Sequence, residues 1–104
     1  MVVGVVSDEE TLKAKGPTVF TADERAFMIS ECKWVNEVQV NVPYTPTVAL
    51  LDLYNCDFYA HGDDLALNAD GQDSCAEMKN AGRYKEFKRT RGVSTTNIVG
   101  KLLL

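Results

Sequence analysis

Histidine is nearly missing from this chain: His61 is the only one among 104 residues, so any motif built on two imidazoles is absent from it. Cysteine is scarce and odd in number. Cys32, Cys56 and Cys75 cannot close into a complete internal disulfide set, and no two stand at CxxC spacing. Buried free thiols in a reducing compartment are the expectation. No apolar run approaches the roughly 18 residues of a membrane span. The opening Met1–Val6 is too short for a signal-peptide core and lacks a basic flank. These absences point to the cytoplasm. Positive charge is in deficit, with 11 Lys and Arg against 15 Asp and Glu and a net charge of −4, which speaks against nucleic acid as a partner. Internal repeats and low-complexity stretches are lacking too.

What remains is an ordinary globular composition, 45% hydrophobic and 25% charged, in a chain long enough for one domain. Val2 to Val6 is β-branched and nearly continuous, the pattern of a strand buried on both faces. Ser7 to Pro17 is polar and reads as loop with one turn of helix. Thr21-Ala22-Asp23-Glu24 is a capping box, and Met28, Cys32 and Val35 follow at helical spacing. Val38, Val40 and Val42 alternate with polar residues, as in a strand. Pro43 and Pro46 mark a loop before an apolar helix over Val48–Tyr54. Phe58-Tyr59-Ala60 is a third strand. Ser74-Cys75-Ala76-Glu77 is a second capping box, with Gly82 placed to end its helix. Tyr84–Lys88 is a fourth strand. Ser94 or Thr95 caps a last helix carrying Ile98, Val99, Leu102 and Leu103. Strand and helix alternate throughout. The fold class is therefore α/β, a parallel sheet with helices on both faces, and ligands belong at the carboxyl ends of its strands.

Arg83, Lys85, Lys88, Arg89 and Arg91 lie within nine residues, five of the eleven cations of an acidic chain. They run into Gly92-Val93-Ser94-Thr95-Thr96, which opens a helix. A helix start offers unpaired N–H groups and partial positive charge. Glycine permits close backbone approach, and the hydroxyls add donors. Together these make a polyphosphate cradle. A solvated basic strand edge beside an ordinary capped helix reads as well from the same residues.

His61-Gly62-Asp63-Asp64 follows the third strand. Adjacent acids there can hold Mg²⁺ or a cationic amine. His-Gly-Asp-Asp is equally common turn chemistry, and on the residues alone the turn is the plainer reading. Tyr44, between two prolines, offers an aromatic face to a cation or simply packs.

Arg89-Thr90-Arg91-Gly92-Val93-Ser94-Thr95-Thr96 resembles the RTxG[IV]ST[ST] signature of the cytidylyltransferases that make CDP-alcohols. Ser7-Asp8-Glu9-Glu10, Lys15-Gly16-Pro17, Glu24-Arg25, Lys33-Trp34-Val35-Asn36-Glu37-Val38, Pro43-Tyr44, Tyr54-Asn55-Cys56-Asp57-Phe58 and His61-Gly62 follow in that family's order and spacing. The likeness covers essentially the whole chain. Lys33-Trp34-Val35, the Tyr54–Phe58 string and Gly92–Thr96 resemble the CTP:phosphoethanolamine cytidylyltransferases more than the phosphocholine enzymes. The resemblance implies a Rossmann-like nucleotidyltransferase fold, with residues 1–104 as a partial catalytic domain. It implies CTP and phosphoethanolamine as substrates, Mg²⁺ with the CTP, and a step toward phosphatidylethanolamine. By the same resemblance Arg89 and Thr90 contact CTP. Gly92, Ser94 and Thr95 hold its phosphates, and Lys15 reaches the reacting phosphates. His61, Asp63, Asp64 and Tyr44 form the amino-alcohol pocket. No protein-only metal site is implied. The family also suggests a second such domain in a longer parent chain.

The sequence departs from the family in named places. The family's His-x-Gly-His, at the end of its first strand, has no counterpart here. An upstream strand is therefore expected, and a sheet left open without it. Asn36 stands where Asp is usual, Arg91 where Gln or Glu is usual, and Asp63 where Asn is frequent. These departures keep two other readings open: a truncated or degenerate nucleotide-binding module without catalysis, and a phosphocholine enzyme.

Overall fold

A computed structural model describes residues 1–64, 67 and 71–103. The sequence reading that reaches Leu104 lies outside them. The elements run β1 (Val2–Val6), α1 (Asp8–Ala14), α2 (Ala22–Ser30), β2 (Glu37–Val42), α3 (Val48–Leu53), β3 (Tyr59–Gly62), α4 (Ala76–Asn80), β4 (Tyr84–Phe87) and α5 (Thr95–Leu103).

All strand pairing is parallel, as the alternation requires. The strands form two separate ladders among the described residues, β1 with β2 and β3 with β4, instead of one continuous sheet. Among the described residues every strand keeps one edge without a strand partner. In the first ladder Val2 sits opposite Glu37 and Val5 opposite Val40, but Val6 pairs with Val42. Asn41 is the extra residue, and its φ of 55° places it in the left-handed region. It is a bulge, held by one of the few residues other than glycine that tolerate that conformation. In the second ladder Tyr59 faces Tyr84 and Gly62 faces Phe87.

The full burial expected of β1 is not found. Only Val5 is buried, because a ladder of two strands covers one side and one edge. The core is small: Val5, Val42, Leu51, Cys75 and Met78, with Met78 fully enclosed. Helix α2 packs on both strands of the first ladder.

Local capping explains most helix starts. The Ser7 hydroxyl accepts the Glu10 N–H at 3.2 Å and starts α1, so the single helical turn expected in this stretch extends to a seven-residue helix. Thr21 and Glu24 complete the expected capping box of α2. Thr47 caps α3 through the Leu50 N–H. The second expected capping box does not form. The cap of α4 is Cys75, without a side-chain bond, and the Glu77 carboxylate instead accepts the Val48 N–H at 3.0 Å. Helix α2 stops at Ser30 before the expected Cys32 and Val35. The Met1 carbonyl accepts the Asn36 and Glu37 N–H groups, so the chain must turn early to enter β2 beside β1. The three thiols differ: Cys75 is buried, Cys56 half-buried and Cys32 exposed, which corrects the expectation of three buried thiols.

Candidate functional site

Strands β3 and β4 end side by side, and the chain leaving each enters one cavity of about 600 Å³. Its walls include Lys15, Tyr44, His61, Asp64, Arg89 and Thr90, with Ala14, Gly62, Leu67, Phe87 and Val93. Six residues singled out in the sequence, spread over 76 positions, therefore share one site. It lies at the carboxyl ends of parallel strands, where open α/β sheets receive ligands.

Lys15 reaches the wall because α1 ends there. It is the C-cap of the helix, and its N–H bonds to the Thr11 carbonyl at 2.8 Å. Gly16 follows at φ 107°, a left-handed conformation that suits glycine at a helix end. His61 and Gly62 belong to β3 itself, so the turn begins only at Asp63. The His61 ring stacks on Tyr59 with centroids 6.3 Å apart, and its Nδ1 lies 2.9 Å from the Gly62 carbonyl. The Tyr44 hydroxyl donates to the Leu67 carbonyl at 3.4 Å. Arg89 donates through Nη2 to the Asp64 carboxylate. The cavity's guanidinium and its carboxylate thus pair with one another.

Beyond Arg89 the chain turns sharply. The Val93 N–H bonds to the Thr90 carbonyl at 3.2 Å, and Gly92 between them has φ 77°. A positive φ at the third residue is the mark of a type II turn, which glycine fills without strain. Nothing lies within 4 Å of where a Cβ on Gly92 would stand, so conformation, not space, selects glycine there. The Ser94 hydroxyl then accepts the Asn97 N–H at 3.1 Å, which decides between Ser94 and Thr95 as the cap of α5.

Gly92, Ser94, Thr95 and Asp63 are not among the wall residues. They flank it: Asp63 precedes Asp64, and the other three follow Thr90. The basic cluster also divides. Arg83 donates to the Asp52 carboxylate at 2.7 Å, to the Asp57 carbonyl at 3.0 Å and to the Cys56 carbonyl. It clamps the loop after α3 to β4. The Lys85 ammonium lies 4.1 Å from the Phe58 ring centroid. Of the five cations only Arg89 lines the cavity. Ala14, Leu67, Phe87 and Val93 line the cavity without being singled out as site residues from the sequence. The signal for Phe87 was its place as the last residue of β4, opposite Gly62. Among the described residues no group of three or more His, Cys, Asp or Glu converges as metal ligands.

A family model described as "Cytidylyltransferase-like" matches residues 1–101. The chain belongs to the cytidylyltransferase-like family. Mouse ethanolamine-phosphate cytidylyltransferase is 54% identical over 104 residues, all of this chain and 26% of the mouse protein. The Dictyostelium discoideum ethanolamine-phosphate cytidylyltransferase is 48% identical over 104 residues, again all of this chain and 29% of that relative. The Saccharomyces cerevisiae choline-phosphate cytidylyltransferase is 38% identical over 103 residues, 99% of this chain and 24% of the yeast protein. The chain thus spans about a quarter to a third of the length of the curated relatives it matches. No helix among the described residues is long and apolar enough to cross a membrane. The Rossmann-like α/β class read from the sequence agrees with the cytidylyltransferase-like match and the all-parallel strands.

Proposed function

We propose that the protein carrying these residues transfers CMP from CTP to phosphoethanolamine, forming CDP-ethanolamine and releasing pyrophosphate. One observation supports this most directly: Lys15, Arg89 and Thr90 share a cavity with Asp64, Tyr44 and His61, in a cytidylyltransferase-like chain. Cations suit a triphosphate, and a carboxylate with an aromatic neighbour suits an ammonium group. The identity of 54% to an ethanolamine-phosphate enzyme, against 38% to a choline-phosphate enzyme, favours the smaller amine.

The chemistry asks little covalent work of the protein. A phosphate oxygen of phosphoethanolamine attacks the α-phosphorus of CTP in line. The bond to the β-phosphate oxygen breaks, and pyrophosphate leaves with the electron pair. The nucleophile is already an anion, so no general base is required. Catalysis then rests on positioning and charge neutralisation. Lys15 and Arg89 supply positive charge. Thr90, Ser94 and Thr95 supply hydroxyl donors, and Gly92 sets the turn that brings them to the start of α5. Mg²⁺ is commonly held by one or two carboxylates together with phosphate oxygens. The oxygens of the triphosphate itself would fit that requirement without a dedicated protein cage, leaving Asp63 and Asp64 to the amino-alcohol. When bound, the ion neutralises phosphate charge. The family's two histidines would add further donors to the transferring phosphate from an upstream segment, and a second such domain in the longer protein is part of the same reading.

The test is pyrophosphate release from CTP, Mg²⁺ and phosphoethanolamine, using a chain with an upstream His-x-Gly-His segment in place. Turnover, with phosphocholine a poorer substrate at equal concentration, is the expected result. CTP binding with no turnover even then would favour the non-catalytic reading. Preference for phosphocholine would overturn the substrate assignment.

A further inference from the structure

Asp8 and Arg25 lie outside the cavity, and no step of the proposed reaction uses them. Their contacts nonetheless converge on the segment that follows Lys15. The Asp8 carboxylate accepts from Arg25 Nη2 at 2.8 Å, from the Ala22 N–H at 3.2 Å and from the Thr18 hydroxyl at 3.4 Å. Arg25 also donates to the Val6 carbonyl at 3.0 Å and, through Nε, to the Phe20 carbonyl at 3.3 Å. The network thus joins the end of β1, the first turn of α1, the loop at Thr18 and Phe20, and the first turn of α2. The other end of the same loop is fixed by α1. Lys15 and Gly16 donate into its last turn, to Thr11 and Leu12 carbonyls. Only Pro17 and Val19 in the Lys15–Thr21 connection stand outside both sets of bonds or the capping box. A loop held at both ends keeps few conformations, and a charged group at its start inherits that restriction.

From this geometry we propose that Asp8 and Arg25 are positioning residues for Lys15, holding its ammonium at the cavity wall to meet a nucleotide triphosphate. The proposal rests on the reading of the cavity as a CTP site. Arg25 is half-buried and Asp8 is 48% exposed, so solvent screens the ion pair itself and limits its contribution to stability. Four bonds from one such pair, to Val6, Thr18, Phe20 and Ala22, therefore point to geometry as their role. Arg25 suits it because the planar fork can serve Val6, Phe20 and Asp8 at once, which a lysine cannot.

The experiment is calorimetric titration of Mg²⁺·CTP into the 104-residue chain and its Lys15→Ala, Asp8→Asn, Arg25→Lys and Asp8→Asn/Lys15→Ala variants. A thermal melt by circular dichroism accompanies each. Lys15→Ala weakens CTP binding about tenfold, and Asp8→Asn and Arg25→Lys each weaken it about fivefold while melting near the parent chain. In the Lys15→Ala background Asp8→Asn adds less than about twofold, because its effect passes through Lys15. Absence of CTP binding by the parent chain, or no loss in Lys15→Ala, would refute the reading of the cavity and the proposal with it. A loss in Lys15→Ala with none in Asp8→Asn and Arg25→Lys would overturn the proposal alone. So would full additivity in the double variant, or loss of the fold in Asp8→Asn, since the pair would then support the structure and not the lysine.

Discussion

Asp64 and Arg89 meet across the cavity wall, with Arg89 Nη2 donating to the Asp64 carboxylate, and both side chains are more than half exposed. An anion entering the cavity must compete with Asp64 for that guanidinium. Asp64→Asn removes the competitor, and the variant should bind inorganic pyrophosphate more tightly. The gain stays within about fivefold, because exposed ion pairs are worth about 1 kcal/mol or less. It should shrink as salt rises, since exposed charges are screened. Titrating pyrophosphate at low and high ionic strength checks both. Weaker binding in Asp64→Asn would mean that the carboxylate helps to orient Arg89.

How much of this was legible in the sequence depends on how local each cause is. The Thr21–Glu24 capping box could be read directly, because donor and acceptor lie within one turn. The equally good pattern at Ser74–Glu77 failed because Val48, 29 residues away, takes the Glu77 carboxylate. Arg83 and Arg89 looked alike in a basic run. Yet Arg83 spends its donors on Asp52, Cys56 and Asp57 while Arg89 reaches the cavity. Both lie just outside β4, one before it and one after, at an even spacing for which strand alternation gives no distinction. The convergence of Lys15 with residues after β3 and β4 became legible through the family resemblance, since local pattern carries no information about contacts so distant in sequence.

The thiols should react in the order of their burial. Burial pushes the Cys75 thiol above its ordinary range, and only 2% of the residue is exposed. Thiolate is the reactive form, so Cys75 should resist an alkylating reagent until the chain unfolds. Cys32 is exposed and should modify first, with Cys56 intermediate. Mass spectrometry of chain pulsed with iodoacetamide, with and without denaturant, reads the order. Early labelling of Cys75 would show that the Met78–Cys75 core opens readily.

Acid should lower the stability of the fold only slightly through two carboxylates, both in solvent-screened pairs. The Arg25 guanidinium and the Ala22 N–H hold Asp8 below its ordinary value, and the Lys79 ammonium and the Cys75 N–H do the same for Asp73. A depressed folded-state value means the unfolded chain binds the proton first. Both contributions are therefore present above about pH 3.9 and are lost as pH falls through the folded values. The alkaline limb has the opposite sign. Asp73 raises Lys79, and burial raises Tyr59 and Cys75. Their contributions are present below the unfolded values and are lost as pH rises through the folded ones, beginning above about pH 8.5 with Cys75. Melting temperature against pH should form a plateau between these limits, and Asp73→Asn should flatten its acid edge. An unchanged acid edge in that variant would remove Asp73 from the account.

Arg83 and Arg89 supply the sharpest contrast between structure and binding. Arg83→Ala strips the donors from the Asp57 and Cys56 carbonyls and leaves Asp52 without its partner. A hydrogen bond to a charged group is worth about 1.5–3 kcal/mol; the bond from Arg83 to the Cys56 carbonyl is part-buried, while those to Asp52 and Asp57 are exposed and screened. The variant should lose about 2 kcal/mol of stability on that basis, measured by urea unfolding, yet bind CTP normally wherever it is folded. Arg89→Ala should reverse the pattern. Its one bond among the described residues is to an exposed carboxylate, so its removal should cost well under about 1 kcal/mol of stability. The same change removes the strongest anion-pairing group from the cavity wall, and turnover in a chain with the upstream segment in place should fall about a hundredfold. Unchanged turnover in Arg89→Ala would take the nucleotide out of Arg89's reach. A stability loss in Arg89→Ala as large as that of Arg83→Ala would make both arginines clamps, and the cavity would be left with Lys15 alone to meet the phosphates.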